Sequence, residues 1–327
     1  MKEIKKVVYY NMPTDLVYER QLLQEWQIDD LELVEVTGSN LIEDVQEADS
    51  LTLEYTEVNA ASLKSLPNLK IIALQSIGVN EIDIDCADQE GIYVTNSPGF
   101  CAYEVASHVM ALILDLNRKI SFYDNAVKAG QWAPFSGSKI ERLQGKTVGL
   151  VSLGSIPLAL IPMLKGFGFN IVFYSPSKTE QDAQRLGITR CESLTDLLNI
   201  SDIVSLHTPL LPSTKNMMNA DTFAQMKDGA MFINTARGEL VDESALVACL
   251  QSNKISAAGL DVLVDEANHQ SELIGMENVI VTPHVGFLSK QSLLDSRKIA
   301  LQQVVSCLSK GEKPAAAVNK NMQKIKG

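Results

Sequence analysis

Cysteine is scarce and scattered. The five stand at Cys86, Cys101, Cys191, Cys249 and Cys307, with no C-x-x-C pair, so neither a disulfide framework nor a thiolate zinc site organises the chain. Histidine is rarer still. His108, His207, His269 and His284 are the whole set, a short list for acid–base chemistry. Positive charge is also in deficit: 28 Lys and Arg stand against 40 Asp and Glu, a net charge of −12. A nucleic-acid surface needs a basic stripe and is excluded. No apolar run is long enough to span a membrane. The opening MKEIKKVVYYNMP lacks the apolar core and small-residue cleavage site of a signal peptide. The expectation is a cytoplasmic protein with no membrane partner. What remains is ordinary for a globular chain, 46% hydrophobic and 21% charged, and 327 residues suffice for two domains.

The most informative stretch runs from Lys146 to Pro176, KTVGLVSLGSIPLALIPMLKGFGFNIVFYSP. An apolar run (Val148–Val151) ends in a small-residue turn. Ile156, Leu160, Leu164 and Phe167 follow at helical spacing, and a second apolar run (Ile171–Tyr174) closes the unit. That is strand, turn, helix, strand: a right-handed βαβ crossover whose first turn is where such units hold a pyrophosphate. The glycine frame is eroded. G-x-G-x-x-G falls on Ser152, Gly154 and Pro157, and only the middle glycine survives. Pro157 is tolerated in a first turn but removes a donor, and Pro162 is expected to kink the helix. On this loop alone, a βαβ unit that binds nothing explains the pattern equally well.

Residues 1–100 alternate apolar strand runs (Val7–Tyr10, Leu31–Val36, Ser50–Leu53, Leu69–Leu74, Ile92–Thr95) with helical stretches, the pattern of a small α/β domain with a largely parallel sheet. Ser76-Ile77-Gly78-Val79 follows a strand end and offers backbone N–H groups to an anion; an ordinary βα turn accounts for it equally. One amphipathic pattern spans Cys101–Ala129, predicting a connecting helix of about 40 Å, on which Glu104 and His108 pair at i, i+4. Further strands are expected at Ile203–His207, Ala230–Asn234, Ala257–Val262 and Val279–Thr282, with a final helix over 288–310 and, from Gly311, a polar tail that is loose apart from a short Ala-Ala-Ala-Val segment. Polar residues gather where those strands end: His207-Thr208-Pro209, Asn234-Thr235-Ala236-Arg237-Gly238, Asp261 and Thr282-Pro283-His284. Four strand ends so equipped are harder to explain by packing than any one residue, because ligands of doubly wound sheets sit there.

These segments resemble the D-isomer-specific 2-hydroxyacid dehydrogenases along nearly the whole chain. The matching motifs are LKIIALQSIGVNEIDID at 69–85, GIYVTNSPG at 91–99, INTARGELVDESAL at 233–246, GLDVLVDEA at 259–267 and VTPHVG at 281–286. The segment 100–120 is most similar to the branch related to C-terminal binding protein. Arg237 and Asp261 are 24 residues apart, and Asp261 and Glu266 five, both usual in the family. The resemblance implies an α/β chain of two doubly wound parallel sheets. A Rossmann-type nucleotide domain (101–287) is inserted into a flavodoxin-like substrate domain (1–100 with 288–327), the site lies in the cleft, and the chain forms a homodimer. It places Arg237, Glu266 and His284 on the family's catalytic trio, and Ile77 and Gly78 with Arg237 and His284 on the substrate. Gly154, Ser155, Ile156, Ser175, His207, Thr208, Pro209, Thr235, Ala236, Arg237, Asp261, His284 and Gly286 fall on the cofactor, with Asp261 accepting from the nicotinamide carboxamide. No metal is implied.

The chemistry agrees. A 2-keto acid needs a fixed cation, which Arg237 supplies as a planar fork. Its carbonyl needs a proton as hydride arrives, a task suited to His284, with Glu266 favouring the charged ring. The departures are specific. Ser155 replaces a usual arginine. Ser175, followed by Ser177 and Lys178, replaces the carboxylate that NAD-binding members aim at the adenine ribose, so NAD is the family default while NADP stays open. Leu53-Glu54-Tyr55 stands where members acting on phosphorylated substrates carry basic residues, which disfavours 3-phosphoglycerate and leaves small or apolar 2-keto acids. The leading expectation is a reductase of a small 2-keto acid. The alternative, favoured by the eroded glycine loop, is a nucleotide-binding regulatory protein with little turnover.

Overall fold

The computed structural model describes residues 3–319 except Thr14, Tyr55, 136–139 and His269, together with Met322. His269 and Tyr55, both singled out above, therefore lie outside the described residues. The chain divides into two compact units, Met1–Phe100 with Ser289–Gly327, and Cys101–Leu288.

The first unit alternates β1 (Lys5–Tyr10), α1 (Val17–Glu25), β2 (Leu31–Val36), α2 (Leu41–Asp44), β3 (Ser50–Leu53), α3 (Ala60–Ser65), β4 (Ile71–Ala73), α4 (Ile84–Glu90) and β5 (Tyr93–Thr95). Its five strands are parallel in the order β2-β1-β3-β4-β5, a flavodoxin-like winding. Strands buried on both faces read as continuous apolar runs: Val8, Leu51, Leu53 and Ile72 pack to one side, Val7, Tyr9, Ile71 and Ala73 to the other.

The second unit holds α5 (Ala102–Arg118), α6 (Ile120–Lys128), β6 (Thr147–Val151), α7 (Ser155–Gly166), β7 (Asn170–Tyr174), α8 (Glu180–Leu186), β8 (Thr189–Arg190), α9 (Leu194–Ile200), β9 (Ile203–Leu206), α10 (Ala220–Gln225), β10 (Ala230–Asn234), α11 (Glu243–Gln251), β11 (Ile255–Leu260) and β12 (Val279–Val281). Its seven strands are parallel in the order β12-β11-β10-β9-β6-β7-β8, and the order reverses at β9/β6. That reversal is the switch point at which such sheets bind ligands. Val109, Met110 and Ile113 of α5 pack with Leu160, Ile161 and Leu164 of α7. The last helix, α12 (Lys290–Leu308), belongs to the first unit. There its Arg297 forks onto the fully buried Glu19 of α1, Nε to Oε1 at 2.7 Å, a pairing that only a satisfied buried carboxylate can sustain.

The expectation of two doubly wound parallel sheets is met. Two local expectations are corrected. The single helix over 101–129 is two, because Lys119 turns left-handed (φ 58°) and Ser121 N–H donates to the Asp115 carboxylate at 2.8 Å, starting a new helix. The tail, expected to be loose apart from its Ala-Ala-Ala-Val segment, docks through that segment and the residue beyond it: Ala317 bridges Thr95, Val318 N–H donates to Val94 O at 2.9 Å, and Asn319 binds Val94 N–H and Asp88. His108, expected to pair with Glu104, meets Thr282 Oγ1 at 2.9 Å and the Asp261 carboxylate at 3.5 Å through Nε2. β5 is an edge strand, and the tail satisfies its open backbone groups. The two-residue β8 was too short for periodicity to reveal.

Candidate active site

The turn after β6 is built at a cost. Ser152 holds φ at +82°, a region that favours glycine, and is pinned by its N–H to Tyr174 O at 2.7 Å. Gly154 then caps α7 without a side chain, and a Cβ added there would meet nothing within 4 Å. Leu158 N–H is the first to close a helical bond, onto Gly154 O. The Ser155 and Ile156 amides therefore face that open space at the positive end of a twelve-residue helix, with Pro157 contributing no donor. α7 stays one element through Pro162.

Around the ends of β9 and β10, two buried polar atoms stand without partners among the described residues: His207 Nδ1 and Thr235 Oγ1. His207 is held by Ser205 Oγ at 3.0 Å to Nε2, and desolvation drives its pKa down to about 3, so the ring is neutral. Orphaned buried groups are rare unless a ligand or water completes them. The open glycine turn, the two free amides and these orphans fit a dinucleotide laid across the carboxyl edge. Thr208 is half-buried and Pro209 exposed just beyond His207. At the end of β7, Ser175 is buried with its hydroxyl 3.4 Å from that of Ser177. Arg190, at the end of β8, donates from Nε to Lys178 O at 3.1 Å and from Nη1 to Glu192 at 2.6 Å. The motif reading missed Arg190; the only signal was a lone cation one short strand away from Ser175.

The catalytic candidates come together by tight backbone packing. Asn234 Nδ2 donates to Arg237 O at 2.8 Å and its Oδ1 accepts from Ala236 N–H at 3.0 Å, curling the turn that presents Arg237. Gly238 follows because nothing larger fits: a Cβ there would lie 2.1 Å from the Leu263 carbonyl. That contact seats the 262–266 loop, and Glu266 Oε2 reaches His284 Nδ1 at 3.0 Å. Both side chains are partly exposed, 45% and 39%.

His284 is itself strained, at φ 52°. Its N–H bonds Asp261 O and Thr282 O, each at 2.9 Å. The Asp261 carboxylate, 2% exposed, accepts from Thr282 Oγ1 (2.5 Å), Val285 N–H (3.0 Å) and Gly286 N–H (2.8 Å). These leave one lone pair on Oδ2. Gly286 is as constrained as Gly238: a Cβ would stand 2.7 Å from Asp261 Oδ2. Asp261 thus fixes the loop that carries His284, and His108 braces it from α5, a role invisible in the motif reading. A separate open cavity of about 450 Å³, lined by Asn216, Asp242, Glu243, Asp265 and Ser271 among others, contains none of these residues.

In the first unit, Ile77 and Gly78 lie in the turn after β4. Ser76 Oγ donates to Gly78 O and Asn96 Nδ2 to Ile77 O, both at 2.9 Å. The carbonyls are tied back, while the Ile77 and Gly78 amides make no hydrogen bond among the described residues. No cluster of three metal-ligating side chains occurs, and no helix is long and apolar enough to cross a membrane, among the described residues.

Comparison with known proteins agrees with this geometry. Residues 110–286 match the family described as D-isomer specific 2-hydroxyacid dehydrogenase, NAD binding domain. The chain is 36% identical over 292 residues to a glyoxylate reductase of Thermococcus litoralis, covering 86% of this chain and 87% of that one. It is 33% identical over 285 residues to a D-3-phosphoglycerate dehydrogenase of Methanocaldococcus jannaschii, covering 87% of this chain but 54% of that one, so it spans about half that relative's length. A solved acyclic imino acid reductase, in complex with NADPH and D-Arg, superposes with a TM-score of 0.85 at 26% identity, covering 96% of this chain and 99% of that one.

Proposed function

The chain belongs to the D-isomer-specific 2-hydroxyacid dehydrogenases, NAD-dependent oxidoreductases acting on CH–OH donors, and from that premise we propose that Arg237, Glu266 and His284 carry the reduction of a small 2-keto acid to its D-2-hydroxy acid. Bound reduced nicotinamide supplies the hydride to the keto carbon. The chain's own residues do the rest. The Ile77 and Gly78 amides hold the substrate carboxylate. The Arg237 guanidinium steers carboxylate and carbonyl together. His284 donates a proton to the carbonyl oxygen as negative charge gathers there, and Glu266 holds the ring in place through Nδ1. The single observation carrying this reading is the 3.0 Å contact of His284 Nδ1 with Glu266, which leaves Nε2 to face substrate.

Gly154, Ser155 and Ile156 receive the pyrophosphate. Ser175 lies by the adenine ribose, and His207, Thr208, Pro209, Thr235 and Ala236 line the carboxyl edge. Asp261 and Gly286 position His284, and Asp261 keeps one acceptor for the carboxamide. NAD is the cofactor. The absence of a carboxylate at Ser175, with Lys178 and Arg190 beside it, supports tolerance of a 2′-phosphate, as does the NADPH held by the imino acid reductase. The D-Arg in that protein supports room for a long side chain in this one. Residues 1–100 with 289–327 form the substrate domain in this reading and 101–288 the nucleotide domain.

A homodimer in the cytoplasm completes the reading. Its support is the run of exposed apolar side chains at Ile120, Phe122, Val127, Trp132 and Phe135, the last two 86% and 96% exposed. Isolated monomers seldom leave such a patch uncovered. Light scattering after size exclusion tests it: a mass near twice 35.8 kDa supports the dimer. Oxidation of NADH and NADPH against glyoxylate, pyruvate and phosphohydroxypyruvate tests the reaction. Glyoxylate or pyruvate should outrun the phosphorylated acid, and no turnover with any would overturn it.

A further inference from the structure

β3 and β4 run parallel with Ser50 opposite Ile71 and Leu51 opposite Ile72. β3 ends at Leu53 and β4 at Ala73, so Glu54 and Gln75 leave neighbouring strands at the same carboxyl edge of the sheet. Leu53 and Leu74, one residue before each, both pack into the same core. The next residues after Gln75 form the turn whose Ile77 and Gly78 amides stand free.

Neither side chain has a protein partner for its polar end. The half-buried Glu54 carboxylate makes no hydrogen bond or ion pair among the described residues, and burial alone pushes its pKa up, with no neighbouring cation to offset it. Gln75 is 7% exposed, and its Nε2 is buried without a partner. A desolvated carboxylate and an orphaned amide cost free energy unless something completes them. Their chemistry is sorted by strand. Past β4 the groups left without partners are donors, the Gln75 Nε2 and two backbone N–H groups. Past β3 stands an acceptor that carries negative charge.

We propose that this pair reads both ends of the substrate, and that the preferred 2-keto acid carries a cationic amine or guanidine at the end of its side chain. Gln75 Nε2 joins the Ile77 and Gly78 amides on the substrate carboxylate, and Glu54 takes the distal cation. A separation of one to two strand spacings, about 5–10 Å, suits keto acids with four to six carbons in the chain. A neutral side chain leaves Glu54 unpaired. A phosphate or second carboxylate meets like charge. The inference rests on the proposed reduction of 2-keto acids, and it deepens that reading by naming the substrate class.

The test is steady-state reduction by the full-length protein of glyoxylate, 2-ketohexanoate, 2-ketoglutarate and 2-keto-5-guanidinopentanoate. In wild type, kcat/KM for the guanidino acid should exceed that for 2-ketohexanoate by at least tenfold, and 2-ketoglutarate should be poorest. In Glu54→Gln, close in shape, the guanidino-to-neutral ratio should fall to within about threefold of one, chiefly through KM. In Glu54→Lys the order of guanidino acid and 2-ketoglutarate should invert. Reduction of glyoxylate with no wild-type preference for the guanidino acid overturns this inference and leaves the dehydrogenase reading standing. A preference unchanged in both variants overturns the assignment to Glu54. No reduction of any acid overturns the reading beneath it.

Discussion

Gly238 and Leu263 touch through backbone alone: a methyl on Gly238 would sit 2.1 Å from the Leu263 carbonyl carbon and oxygen. This contact couples the turn presenting Arg237 to the loop presenting Glu266, two residues 29 apart in the chain that the proposed mechanism uses together. Gly238→Ala must push that loop outward. Unfolding in urea should show a loss of about 1–3 kcal/mol, the usual scale of overpacking. The kcat for keto-acid reduction should fall at least tenfold, because the Glu266–His284 contact opens. Unchanged kcat with unchanged stability would mean the two segments are independent.

The strained Ser152 yields a prediction of the opposite sign. A non-glycine residue at φ +82° costs on the order of 1 kcal/mol. Glycine removes that strain, though it adds unfolded-state entropy worth about 0.5–1 kcal/mol. Ser152→Gly should therefore leave the melting temperature level or slightly raised. By restoring the first glycine of the turn, it should lower the dissociation constant for NADH several-fold in a fluorescence titration. Weaker NADH binding would show that the serine contributes a contact of its own.

His207 makes the protein sensitive to acid. Its folded-state pKa, about 3, lies below the unfolded value near ~6.5. Between these values the unfolded chain binds a proton that the folded chain refuses. Stability from this group is therefore intact above pH ~6.5 and falls as the pH drops toward 3, by at most about 1.4 kcal/mol per pH unit. Urea unfolding at pH 7 and pH 5 should show a smaller loss in His207→Asn than in wild type. Equal losses would mean that His207 is not buried neutral.

The sequence made the architecture legible because parallel strands buried on both faces, such as Ile171–Phe173 and Ala230–Ile233, announce themselves as unbroken apolar runs. The strand ends were legible for the same reason: polar residues such as Asn234 and Asp261 stop those runs abruptly. Three features stayed hidden. The left-handed break at Lys119 leaves the apolar period of the helix intact on both sides. The docking of Val318 and Asn319 on β5 depends on an open sheet edge that no local pattern records. The grip of Asp261 on Val285, Gly286 and Thr282, braced by His108, joins residues 21 to 174 apart in the chain. Motif position alone assigned Asp261 to the cofactor, and its second engagement appears only when the lone pairs are counted.

The account stands on proton donation by His284 under the influence of Glu266. The measurement that reaches it most directly is kcat and KM for glyoxylate reduction in wild type, Glu266→Gln and His284→Ala. Without the carboxylate on Nδ1 the ring is no longer held toward the substrate, so Glu266→Gln should lose kcat at least tenfold with little change in KM, and His284→Ala should lose about 10²–10⁴-fold in rate. Unchanged kcat in Glu266→Gln, with His284→Ala retaining its rate, would contradict this.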